Sequence, residues 1–213
     1  MSNLGNAFFH QDGKQYPASV QPVWLEVKER KTAGGTVDLT GIKKGTLIPL
    51  GIPTLLKVMG GTAKFLETFS VEAAVGSSDT ALKIKPVNGA VIPAAGLVLG
   101  KIDATGNALK AVALAGTPTV EDGVYTFTIS ANSLGELAKG DILCIISEAG
   151  SNKKALAPTG LSWRQIYVDS DNAYAGTVAV VTKGQILADR IAALPEYYKA
   201  CMPGITLEYE VED

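Results

Sequence analysis

Glycine and proline recur so often in this chain that long helices have no room. The 23 Gly and 10 Pro divide it into short apolar runs separated by turns, the spacing of a β-sandwich or barrel. Val23–Lys28, Thr46–Leu50, Ala81–Lys85 and Ile142–Ile146 are such runs, the last suited to a buried strand. Leu97–Ile102 and Ala108–Ala113, joined through Thr105-Gly106-Asn107, read as a hairpin. Thr119–Ser130 contains the β-branched and aromatic stretch Val124–Ile129. Further on, Thr177–Thr182 and Gln185–Leu187 flank Lys183-Gly184, and Ile205–Val211 alternates apolar with polar.

Helix is expected only in short pieces: Thr62–Phe69, a turn or two around Leu134–Leu137, and Ala188–Leu194 followed by Pro195–Cys201. A Lys-Gly-x-apolar-apolar core recurs at Lys44-Gly45, Lys139-Gly140 and Lys183-Gly184. Its unequal spacing excludes a solenoid or propeller, and each Gly is read as a tight turn before a strand that enters the core. Residues 1 to about 22 are polar, show no periodic apolar face and read as an extended arm.

Composition narrows the function classes. With 46% hydrophobic and 19% charged residues the chain is too apolar to stay disordered, and lightly charged for a free monomer, which points to assembly. Nineteen Lys and Arg against 21 Asp and Glu create no field that would gather nucleic acid or anionic lipid, so neither is expected as a partner. No apolar run approaches the roughly 18 residues of a membrane span. Met1–His10 lacks the basic and apolar regions of a secretory signal, so synthesis in a cytoplasm is expected. Cys144, inside the apolar run Asp141–Ile146, reads as a reduced core thiol rather than a disulfide partner of the remote Cys201.

Catalytic chemistry finds little to work with. The one histidine, His10, lies in the arm and supplies no buried base. Two distant Cys and one His do not make a zinc site. Asp169–Asn172 and Glu208–Asp213 offer carboxylates to a metal, but Asp169–Asn172 lacks the Gly and terminal Glu of a calcium loop and reads as a surface turn. The glycine-rich Thr32–Thr36 and Met59–Thr62 have neither a Walker ending nor a dinucleotide fingerprint. Among Glu67, Glu72, Asp79, Asp103, Glu121, Asp122 and Glu148 nothing selects a glycosidase pair. A non-enzymatic protein is expected, with no catalytic residue, cofactor or metal assigned.

The aromatic residues suggest contacts instead. Trp24 and Trp163 are the only tryptophans, and neither lies in a Lys/Arg cluster of sequence. Trp163, Tyr167 and Tyr174 would suit a platform for sugar rings, giving a carbohydrate-binding or adhesion module, with a host surface glycan as ligand, as the alternative function. Phe8 and Phe9, with Tyr16, are large apolar side chains in a polar arm. They read as anchors on a partner or as a fold-back onto the chain's own domain.

Gly96-Leu-Val-Leu-Gly-Lys-Ile-Asp-Ala-Thr-Gly106 resembles the strand-turn-strand of phage head decoration proteins. Val178–Gly184, the helix-like Ile186–Leu194 and Pro203–Leu207 look like that family's C-terminal strand, helix and closing Gly-Ile strand, and Lys43–Pro53 like its opening segment. Phage head fiber proteins, which join a capsid-anchoring part to further displayed β structure, are the closer match. The resemblance implies a homotrimer on the outer surface of the virion, seated on assembled major capsid protein, with an arm that adds a strand to a capsid sheet edge. It implies no active site. It also sets the expected organisation: an extended arm over residues 1–40, then a β-rich, decoration-like domain over 41–213, barrel or sandwich with short helices, carrying an inserted β segment around 116–174.

Overall fold

The computed structural model describes residues 23–31, 35–39, 41–42, 45–57, 61–168 and 178–209. The first part of the chain forms β1 (Trp24–Lys31), β2 (Thr36–Val37), β3 (Leu47–Ile48), β4 (Pro53–Leu56), β5 (Thr62–Phe65) and β6 (Phe69–Val71). There follow β7 (Ala81–Pro86), β8 (Val98–Gly100), β9 (Asn107–Ala113), β10 (Thr119–Glu121), β11 (Val124–Thr128) and β12 (Ile142–Ile145). The rest comprises β13 (Gly150–Lys154), β14 (Gly160–Ser162), β15 (Ile166–Tyr167), β16 (Val180–Leu187), a 3-10 turn (Ala188–Arg190), α1 (Glu196–Cys201) and β17 (Ile205–Glu208). The protein is mainly β, as its turn spacing predicts, and its sheets form a sandwich rather than a closed barrel.

One sheet runs β1-β16-β14-β4-β5-β2, with β17 added beside β16. The other runs β10-β11-β7-β6-β12-β8-β9-β13 and is antiparallel throughout. A small third sheet pairs β15 with β3. Each large sheet has its own apolar cluster, around Phe69, Leu82, Ile84, Leu99 and Phe127 in the antiparallel sheet and around Ile48, Ile52, Phe65 and Val180 in the other. A third cluster joins them: Ala108, Cys144 and Ile146 from one sheet meet Leu161 and Ile186 from the other, with Tyr198 and Met202 packed in. That shared core makes the two sheets one packing unit.

Several expectations change. Thr62–Phe69 is not helical but forms β5, a connecting bend and the start of β6. Phe65, Leu66, Glu67 and Phe69 are all buried, and a helix with only one buried stripe could not bury all four. Thr119–Ser130 holds two strands, because Asp122 and Gly123 both take positive φ, 48° and 77°, and close the β10–β11 hairpin. Lys183-Gly184 is not a turn; it lies inside the continuous strand β16. A Cβ on Gly184 would collide with the Glu26 carbonyl oxygen of β1, so the residue serves close strand approach. Gly45 and Gly140 do take positive φ before β3 and β12.

Within the 1–40 segment, β1 and β2 are members of the first sheet. Residues around 116–174 do not stand apart either, since they supply β12 to the middle of the antiparallel sheet and β14 to the middle of the other. Three of the outermost strands, β1, β10 and β13, are poor partners for further pairing. β1 has three register irregularities against β16 and carries Glu26, Lys28, Glu29, Arg30 and Lys31; β10 has three residues; and β13 includes Lys153 and Lys154.

Candidate functional site

Ser162, at the end of β14, fixes the chain where the candidate surface begins. Its buried hydroxyl accepts the Ile52 N–H at 3.0 Å and donates to the Pro49 carbonyl at 3.3 Å, while its own carbonyl accepts the Gly51 N–H at 2.9 Å. The next residue, Trp163, donates its backbone N–H to the Ala179 carbonyl at 2.9 Å and carries a half-buried indole. β1 lies on the other side of β16, with Arg30 opposite Val181 and Lys31 opposite Val180, while Ser162 pairs with Val180 from the β14 side. Arg30 therefore reaches across β16, and its guanidinium carbon stacks 3.7 Å from the Trp163 ring centroid. The Arg164 guanidinium lies 5.8 Å from the same centroid. Both arginines are exposed, and among the described residues neither forms an ion pair with a carboxylate. The stack orders Arg30 while leaving its N–H fork available to an anion.

Tyr167 lies elsewhere, in the β3–β15 sheet, and is 40% exposed. Tyr174 falls outside the described residues, as do Phe8, Phe9, Tyr16, His10 and Asp169–Asn172. Of the three aromatics read as a sugar platform, Trp163 already has a guanidinium on its ring, a partner that a stacked sugar would compete with.

A second feature surrounds the connection between β16 and β17. Two shallow hollows, about 290 and 340 Å³, flank residues 188–197. The larger is lined by Lys101, Asp103, Ile142, Cys144, Glu196 and Tyr197. Lys101 donates to Asp141 at 2.8 Å; burial raises the Asp141 pKa, but the ammonium and the Ala138 N–H outweigh it and hold the carboxyl below its usual range. Burial pushes the Cys144 thiol up to about 12, so at neutral pH it stays protonated and unreactive. Tyr198, fully buried beside it, is likewise pushed well above its ordinary value by desolvation. Both cysteines are free thiols. These groups form a core and its rim rather than an activated nucleophile.

Glu67 is the residue that sequence reasoning left undistinguished among seven carboxylates. It is completely buried. One oxygen accepts from the Thr68 N–H at 3.1 Å and from the Asn88 N–H and side-chain amide at 2.9 Å each; the other accepts from the Ala90 and Val91 N–H groups at 2.9 and 3.3 Å. Five donors saturate the carboxylate, which pins the loop after β7 to the sheet and leaves no lone pair for acid–base work. No sequence pattern marks this role, because the donors are mostly backbone groups about twenty residues away.

Among the described residues no cluster of three or more His, Cys, Asp or Glu is placed to hold a metal, and no helix is long and apolar enough to cross a membrane. Comparison with protein-family models, curated proteins and solved structures returns no match to this chain.

Proposed function

We propose that this chain is a structural protein of a tailed-phage virion, bound to the outer capsid surface as a head fiber or decoration protein and assembled as a homotrimer on the major capsid protein. The observation that carries the reading is the arrangement of the segments that resemble that family. Val178–Gly184 leads into β16 and Pro203–Leu207 into β17, and these strands lie side by side in parallel, with α1 in the connection between them. Gly96–Gly106 forms β8 and the turn into β9, and the Gly-x-Pro of Gly51–Pro53 delivers β4 into the first sheet. The two strands follow the order that the resemblance implies, whereas its helix-like segment Ile186–Leu194 ends β16 and forms only the 3-10 turn Ala188–Arg190, the helix α1 lying later at Glu196–Cys201. The Arg30 stack on Trp163 favours this reading over a glycan-binding module.

Cosedimentation with assembled capsids of the cognate phage tests the proposal. Saturable binding to capsids, weakened by Phe8→Ser/Phe9→Ser, and a light-scattering mass near three times the 22.2 kDa of one chain are expected. Absence of capsid binding by the full chain would overturn it.

A further inference from the structure

Arg30 and Arg164, which have no carboxylate partner among the described residues, have a complement in the same sequence, the acidic segment Glu208-Tyr-Glu-Val-Glu-Asp213. We infer that the acidic segment of one copy docks on Arg30 and Arg164 of a second copy. The inference rests on the proposed homotrimer and names the contact that would close it.

Topology decides that the contact is between copies. β17 runs parallel to β16, with Glu208 beside Leu187 at the far end of that strand. The arginine patch is at the near end, where Lys31 and Ser162 both flank Val180 and Trp163 bonds to Ala179. From Val180 to Leu187 the strand advances roughly 23 Å at about 3.3 Å per residue. Even fully extended, Glu208–Asp213 spans at most about 18 Å, less than that separation. With the arginine patch at one end of β16 and Glu208, where the acidic segment starts, at the other, the contact between copies is head-to-tail, the type that generates a closed ring when the rotation permits.

The chemistry of the patch is suited to this occupant. Stacking on the indole fixes the Arg30 fork, so less side-chain freedom is lost when a carboxylate binds. Arg164 adds a second fork near the same ring, and bidentate guanidinium–carboxylate pairing gives direction as well as attraction. Exposed pairs are individually weak, so several carboxylates on one segment, repeated around a ring, are what would make the contact effective.

The test is association measured by light scattering and sedimentation on the full chain, with capsid binding measured in parallel. Three proteins are compared with the unsubstituted chain: Arg30→Glu/Arg164→Glu, Glu210→Lys/Glu212→Lys/Asp213→Lys, and the two sets combined. Each set alone is expected to weaken self-association at least tenfold. The combined protein, with the charges exchanged, is expected to regain most of it. Equal thermal unfolding of all four shows that the fold is intact. Self-association unaffected by either set overturns the inference while leaving the trimer in place. A monomer in solution at all concentrations also overturns it, and so does loss of capsid binding by the arginine variant with the trimer unchanged, which would assign the patch to an acidic capsid segment. Failure of every protein to bind capsids, with charge-dependent self-association intact, would overturn the virion reading and leave this contact standing.

Discussion

Glu67 and Gly106 show how single residues fix this fold through contacts distant in sequence. Replacing Glu67 by Gln turns an acceptor oxygen into an amide group that faces the Ala90 and Val91 N–H donors. Two buried donors then lose their partner, and Glu67→Gln should lower stability by about 3 kcal/mol, read as a shift in urea midpoint at constant m-value. Gly106, in the turn from β8 to β9, has φ of 82°, and a Cβ there would strike the Tyr197 ring of α1. Gly106→Ala adds backbone strain to that clash, so a loss of about 1–3 kcal/mol is expected; a Tyr197→Ala background should recover the steric part. At this scale the sequence is only partly legible. The Gly106 turn is visible in Thr105-Gly106-Asn107, but its neighbour Tyr197 is not. Thr62–Phe69 carries good helix formers, and only the burial of Glu67 together with its apolar neighbours reveals why it is extended.

Among the elements, β16 connects most of the first sheet. Its whole length pairs with β1, its start with β14 and its end with β17. Gly184 permits the close approach of β1 at Glu26, so Gly184→Val should detach β1 locally. Amide exchange of Trp24–Lys31 is expected to accelerate more than tenfold while amides of β7 and β11 keep their protection. Uniform acceleration in both sheets would show instead that β1 and the sandwich unfold as one unit. Strand positions were readable wherever apolar runs met turn residues, as at Ala81–Lys85 and Ala108–Ala113. Pairing was less so: hairpins follow from short turns, whereas the β1–β16 and β14–β4 pairs join residues more than a hundred positions apart, which no local pattern encodes.

For the molecule as a whole, the shared core sets the response to alkali. Folding raises the Cys144 and Tyr198 pKa values because burial disfavours their charged forms. In the unfolded chain the thiol ionises near its ordinary 9.0, so between about 9 and 12 the unfolded state binds fewer protons than the native one and stability falls with rising pH. Urea midpoints should be insensitive to these groups below pH 8 and decline above 9, and Cys144→Ala should make that decline shallower. An unchanged slope in Cys144→Ala would show that the thiol ionises similarly in both states.

The irregular, charged margin of β1 and the lysine-bearing margin of β13 have a consequence for crowding. Seating many copies a few nanometres apart raises their local concentration to the order of millimolar, where complementary strand margins would fuse neighbours into fibres. In the array proposed above, the kinks in β1 and the lysines of β13 would keep neighbouring copies from zipping together along those margins, so the array could be dense and still remain a set of separate, correctly folded units.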